Sequence, residues 1–366
     1  MTRVSSRRIL LTGLSTYWGG RLAQSLERDP AVEAIIGVDR TPPKVALDRT
    51  EFVQVADSHS HVRRIVEAAE IDTVVDTRLV VDSIVTTPRR AHENNVIGTM
   101  NVLAACNGPD SPVRKVVFKS SAHWYGCEQD DPAYFTEDMS RRHPARTGLE
   151  RDIVEAEQAV SEYAQRNPDV TTTILRCANV LGPDVDTAFT RMFRLPAVPM
   201  VLGFDPRLQF VHEDDVVHAL EHAAFHVTPG IYNVAADGVL ALSEVIDLVG
   251  KVAAPILPPW GTGIATSSLR RLGFRIPVEV VNQLRFGRGV DNRLFKATGF
   301  DYGYTSREAV IKLSEHMRLA QVMRGTEQEY TYEREVEEFL RWSPNVRREH
   351  PGERGGVAGD REPLGF

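Results

Sequence analysis

Gly13, Thr16 and Gly19 are the first residues whose types and spacing point to chemistry, within the run ILLTGLSTYWGGRLAQSL. An apolar triplet (Ile9, Leu10, Leu11) reads as a buried strand, and Leu22, Ala23 and Leu26 lie at helical spacing after the turn. A strand, a glycine turn and a helix N-terminus together form a cradle for a diphosphate. The first helical N–H groups are unpaired there, and the helix dipole adds partial positive charge. Gly13 permits the tight turn, and Gly19 lets helix and sheet approach closely. Thr16 stands where a middle glycine would be expected, and its Cβ holds the backbone further from a phosphate. The plain alternative is a strand–helix turn that binds nothing.

Asp39 closes the next apolar run, EAIIGVDR, about 20 residues beyond the turn. An acid at that position can hold the ribose hydroxyls of an adenine dinucleotide. It would also repel a 2′-phosphate, which favours NAD over NADP, although Arg40 beside it softens the preference. The alternative for Asp39 is a solvated loop acid. Asp57 ends a third short run, EFVQVADSH, and is a candidate to face adenine.

The elements that must position these residues follow from the rest of the chain. Strand-like runs (IDTVVDTRLV, KVVFKSSAHWYG, TTTILRCANVLGP) alternate with helix-like ones (ENNVIGTMNVLAACN, GLERDIVEAEQAVSEYAQ). That alternation predicts an α/β fold, a doubly wound parallel sheet of Rossmann type, over residues 1–183. Beyond it the pattern is punctuated by proline and glycine. Residues 184–325 read as a smaller α+β lobe whose elements interleave with the sheet. Residues 326–366 read as one amphipathic helix and a disordered tail. The chain has 366 residues and a formal net charge of −7, which argues against a nucleic-acid partner. No apolar run reaches about 18 residues, so no membrane span is expected, and no signal peptide is evident. Cys106, Cys127 and Cys177 lack metal spacing and read as reduced structural thiols of a cytoplasmic protein, with no metal site.

Seven stretches, in order, resemble one family. They are LLTGLSTYWGG, GVDR, NNVIGTMNVLAAC, VVFKSSAHWYG, ILRCANVLGP, FVHEDDVVHAL and IYNVAADGVLALSEV. The chain resembles the extended short-chain dehydrogenase/reductases of the NAD-dependent epimerase/dehydratase type, which include UDP-glucose 4-epimerase. The resemblance implies NAD as cofactor, a small-molecule substrate such as a nucleotide sugar, and a homodimer built on the helices that carry NNVIGTMNVLAAC and GLERDIVEAEQAV. It also implies a Tyr-x-x-x-Lys pair on a helix and a nearby Ser as the reacting groups. Ser121 matches the Ser. Thr147 and Arg151 stand at the Tyr and Lys positions. A Thr hydroxyl cannot serve as the phenol does, and a guanidinium is geometrically unlike an ammonium.

Three other departures accompany this one. Arg78, in VVDTRLV, replaces a small residue beside the cofactor, where it would either bind a phosphate or crowd the site. Arg207 precedes Gln209 in RLQFVH, where nucleotide-sugar enzymes carry an Arg one residue later. Thr16 is the third. His123, two residues after Ser121, is the candidate replacement base, because a histidine titrates near neutrality. Its alternative is a packed or solvent-facing residue, with Tyr125 in the core and His143 in a covering loop. The acids Asp130, Asp131, Glu213, Asp214 and Asp215 read as solvated loop acids or a helix N-terminal cluster. Two functions remain open at this level. One is an NAD-dependent epimerase or dehydratase with a reorganised site. The other is an inactive dinucleotide-binding sensor or scaffold.

Overall fold

The inner strands of the central sheet are almost wholly buried, as expected of strands covered on both faces, whereas the edge strand TEFVQ is half exposed. In the computed structural model, β1 (Arg8–Thr12) has Ile9, Leu10 and Leu11 completely buried. It is followed by α1 (Tyr17–Leu26), β2 (Ala34–Asp39), β3 (Thr50–Gln54), α2 (His59–Ala68) and β4 (Thr73–Asp76). The structure describes residues 8–55, 58–83, 86–108, 110–256 and 278–322, and Val336. Asp57, most of the Pro/Gly-rich stretch after residue 256, and the expected helix and tail beyond 322 (Val336 apart) lie outside the described residues.

After β4 the expected single helix is three pieces: α3 (Pro88–His92), a π-helical turn (Glu93–Gly98) and α4 (Thr99–Cys106). The wide turn frees two asparagines for the loop after β4. Buried Asn95 holds both backbone groups of Val80, accepting its N–H at 2.8 Å and donating to its carbonyl at 2.7 Å. Asn94 donates to the Arg78 carbonyl at 2.7 Å. Wide turns of this kind recur at functional sites, and here the turn secures the segment that carries Arg78.

The chain continues through β5 (Lys115–Ser121), a short 3₁₀ turn (Ala122–Tyr125), β6 (Tyr134–Phe135), α5 (Gly148–Arg166) and β7 (Thr171–Cys177). The run TTTILRCANVLGP, expected as one strand, breaks at Ala178. The Ala178 N–H turns to the Val234 carbonyl at 2.9 Å, and β8 (Asn179–Leu181) pairs instead with β11 (Phe210–His212). Between these lie α6 (Ala188–Phe193), β9 (Ala197–Val201) and β10 (Arg207–Leu208). Then come α7 (Glu213–Phe225), β12 (Gly230–Val234), β13 (Leu240–Ala241), α8 (Leu242–Leu248), β14 (Val252–Ile256), α9 (Val278–Phe286), β15 (Gly289–Val290), α10 (Arg293–Lys296) and α11 (Ser306–Val322).

The main sheet has the order β12-β7-β5-β4-β1-β2-β3, parallel throughout. This is the doubly wound Rossmann-type sheet. Strand order reverses between β1 and β4, which opens a crevice at the carboxyl edge. One edge strand of this sheet, β12, comes from beyond residue 184. A second apolar core, running from Leu181 to Met317 through Phe193, Phe210, Val245 and Leu313, packs the later elements.

One close approach fixes α1 on the sheet. A Cβ at Gly19 would lie 2.2 Å from the Gly13 carbonyl oxygen, and backbone cannot yield as a side-chain tip can. At Gly148, the first residue of α5, a Cβ meets nothing within 4 Å. Gly19→Ala should therefore cost about 3 kcal/mol or more of unfolding free energy. Gly148→Ala should be neutral or stabilising by about 0.5 kcal/mol. Urea denaturation of the two variants against wild type measures both.

Candidate functional site

The crevice begins at the turn after β1. Gly13 has φ +83°, a left-handed conformation that favours glycine, and its N–H donates to the Val38 carbonyl at 3.1 Å. Thr16 caps α1. Its Oγ1 accepts the Gly19 N–H at 3.1 Å and donates to the Gly13 carbonyl at 2.7 Å. The hydroxyl is thus folded into the turn. Asp39, at the end of β2, also binds the turn: one carboxylate oxygen accepts the Ser15 N–H at 2.9 Å and the Ser15 hydroxyl at 2.6 Å. Its other oxygen accepts the Arg40 N–H at 2.6 Å.

A cleft opens beside this turn, at the ends of β1 and β2. Val38, Val55, Val62 and Val102 give it apolar walls, and Asp39 and Asn101 are among its polar lining residues. Arg40 and Arg78 also line it. Arg78 donates to the buried Asp76 through Nε at 3.0 Å and through Nη2 at 2.7 Å. Burial pushes the Asp76 carboxyl up, but the Arg78 charge and hydrogen bonds outweigh it and hold it below its ordinary range. Nη1 makes no hydrogen bond to any described residue and rests against Gly98, where a Cβ would come within 2.6 Å of it. Gly13 and Gly98 together leave the room in which this side chain lies.

The second half of the site is the end of β5. Ser121 Oγ lies 2.9 Å from His123 Nδ1 and accepts the His123 backbone N–H at 3.2 Å. On the far side of the ring, His123 Nε2 is 3.0 Å from Nε2 of the fully buried Gln283 on α9. The other end of that amide, Oε1, is buried without a partner among the described residues. Rotating the amide puts its oxygen against the imidazole, so Gln283 can select either tautomer. Burial first, then the nearby Arg288 and Arg141 guanidiniums, push the imidazole well below its ordinary titration range. Arg288 is itself buried. Its Nη1 donates to the Gly126 carbonyl at 3.1 Å, and Nη2 is buried without a partner among the described residues.

Thr147 is the N-cap of α5, accepting the Glu150 N–H at 3.1 Å, and Arg151 is exposed. Neither hydrogen-bonds to Ser121 or His123. Tyr125 is core: it stacks on Phe135 at 4.7 Å and donates to Asn233 Oδ1 at 2.9 Å. His143 pairs with exposed Asp130 at 2.8 Å. Gln209 is occupied structurally, taking the Val290 N–H at 2.7 Å and donating to the Ala236 carbonyl at 2.9 Å.

The structure therefore brings Asp39, Arg40 and Arg78 to one cleft, with Gly13 packed behind Arg78 and Thr16 capping the adjoining helix, and sets Ser121 with His123 at another strand end. Gln283 and Arg288 were not visible as site residues in the sequence, because they come from an element more than 150 residues away. Glu213, Asp214 and Asp215 form the expected helix N-terminal cluster, but they are buried rather than solvated. Glu213 accepts the Val185 N–H at 2.7 Å, and Asp215 accepts the Gly303 N–H at 2.8 Å. Burial pushes the Asp215 carboxyl up to about 7. The three cysteines are free and buried, and burial pushes the Cys106 and Cys127 thiols up to about 12, which leaves them unreactive. Among the described residues no helix is long and apolar enough to cross a membrane.

Known proteins place this arrangement. An uncharacterized protein of Mycobacterium tuberculosis (strain H37Rv) is 36% identical over 313 residues, covering 82% of this chain and 81% of the relative. A second uncharacterized M. tuberculosis protein is 27% identical over 256 residues, 69% of this chain and 24% of that protein. The crystal structure of UDP-glucose 4-epimerase from Thermotoga maritima with UDP-glucose superposes with a TM-score of 0.65 at 18% identity. The match covers 86% of this chain and 99% of that one. The dTDP-glucose 4,6-dehydratase of Bacillus anthracis in complex with NAD gives 0.64 at 15% identity, over 86% and 97%. At these identities the two structures establish the fold. Residues 9–235 match the family model for the NAD dependent epimerase/dehydratase family, and the chain belongs to that family.

Proposed function

We propose that this protein is an NAD-dependent enzyme of the epimerase/dehydratase class acting on a hydroxyl of an anionic small molecule, with a nucleotide sugar as the favoured substrate. The observation that carries the reading is the 2.9 Å contact between Ser121 and the uncharged His123 ring. It supplies a proton path where Thr147 cannot.

The residues at the cleft fit the adenosine half of NAD. The valines lining the cleft would hold the adenine, and Asp39 would offer acceptors to the ribose hydroxyls while disfavouring a 2′-phosphate. The α1 N-terminus and Arg78 Nη1 face the phosphates. NAD, when bound, supplies the hydride acceptor. Ser121 would orient the substrate hydroxyl and take its proton as its own passes to His123 Nδ1. Gln283 holds the ring in plane and stabilises the imidazolium through Nε2–H once its oxygen faces the ring. Arg288 and Arg141 oppose that imidazolium. An anionic substrate beside Arg288 Nη2 offsets their charge and strengthens the base, which is why a nucleotide sugar suits this site better than a neutral alcohol. Exposed Ile97 and Met100, on the π turn and α4, support a homodimer through that face.

A second reading, a dinucleotide-binding protein without turnover, is favoured by Thr147 serving as a helix cap and by Arg151 facing solvent.

Asp39→Ala should weaken NAD binding by about tenfold and narrow the margin over NADP, as read by titration calorimetry. Turnover of UDP- and dTDP-sugars with NAD should survive Thr147→Ala and fall by about 100-fold or more in His123→Ala. Absence of product and of NADH from wild type that binds NAD selects the second reading. The folded imidazole titrates below the unfolded value of about 6.5, so its contribution to stability is present above that pH and lost below it. His123→Asn should flatten the fall in unfolding free energy between pH 7 and 5, measured by urea denaturation.

A further inference from the structure

Three cations are buried on the adjacent strands β5 and β7, and two have evident partners. Lys115 Nζ donates to the Val227 carbonyl at 3.0 Å, and Arg176 Nε donates to Glu157 at 2.9 Å. Lys119 is only 2% exposed and makes no hydrogen bond or ion pair with any described residue. Its Nζ lies 4.7 Å from the centroid of the Trp18 ring. Trp18 is the second residue of α1, in the first turn, where backbone N–H groups lack intrahelical acceptors. The Lys119 amine is thus packed against a side chain of the first turn of α1. Burial without a counter-charge costs stability, and in a site shielded from water such a cation is a strong anion ligand. Lys119 also shares a sheet face with the proposed reacting Ser121. On α5, by contrast, Arg151 faces solvent.

We propose that Lys119 is the counter-charge for the diphosphate of the dinucleotide, acting from β5 together with the N-terminus of α1 in place of the cation that α5 presents to solvent. This rests on the dinucleotide reading above. Contact with the Trp18 ring holds the amine in position; burial pushes it below its ordinary range, and an anionic ligand beside it would favour the charged form.

Calorimetric titration of wild type, Lys119→Met and Lys119→Arg with NAD, ADP-ribose and AMP tests this. Lys119→Met should weaken NAD and ADP-ribose by about tenfold or more while changing AMP by less than about threefold, and Lys119→Arg should recover part of the loss. The ligand-free Lys119→Met protein should melt at or above the wild-type temperature, because a buried unpaired charge has been removed. If Lys119→Met does not fold, Lys119→Gln gives the same readout. Unchanged NAD and ADP-ribose affinity, or an equal loss for all three ligands, overturns the role of Lys119 and leaves the dinucleotide reading standing. Wild type that binds none of the three overturns both.

Discussion

The site depends first on a distance of closest approach. α1 packs against the turn after β1 so tightly that the space beside Gly19 is filled by the Gly13 carbonyl. That contact brings the helix N-terminus to the carboxyl edge of β1. Thr16 then caps the helix, Ser15 reaches Asp39, and Trp18 is placed over Lys119. A methyl group at residue 19 would displace the helix, and each of those contacts would move with it. The same economy of space recurs at Gly37, where a Cβ would meet Leu14 at 2.2 Å. The crevice is thus shaped by what the glycines omit as much as by what other residues supply.

Buried charge organises the other half of the site. Glu157 on α5 receives Arg176 from β7 and the Ser120 hydroxyl from β5, the latter at 2.6 Å. The Arg176 guanidinium lies 3.5 Å from the Trp124 ring and 4.6 Å from the Tyr125 ring. One ion pair therefore ties two strands, a helix and the turn that carries His123. Pairs buried this deeply add little net stability, because desolvation offsets most of the attraction. Their effect is to penalise any arrangement in which a partner is missing, so the backbone from Ser121 to Tyr125 has one geometry. Asp76 with Arg78 acts similarly at the other end of the crevice.

Much of this was legible in the residues. Ile9, Leu10 and Leu11 form a strand because nothing polar interrupts them. Gly13, Gly19 and Asp39 announce a dinucleotide turn because their roles are set within a single strand–turn–helix unit. Other features had no local signal. Asn95 looks like any helical asparagine until the helix widens and it clasps Val80. Glu213 and Asp215 read as surface acids, yet they take backbone N–H groups from residues 28 and 88 positions away. The break at Ala178 depends on Val234, which belongs to a strand not yet formed when β7 is read alone.

The sequence by itself determined the doubly wound sheet and the family, since hydrophobic period and residue identity are properties of neighbouring positions. Tertiary structure alone decided the surroundings of the groups proposed to act. Whether His123 is a base or a packed ring turns on Gln283, 160 positions away, and whether Lys119 is a core lysine or an anion ligand turns on Trp18. The physical reason is the same in both cases. The charge and reactivity of a buried group are set by the few atoms within hydrogen-bonding and Coulomb range, and in a parallel α/β fold those atoms come from strands and helices far apart in the chain.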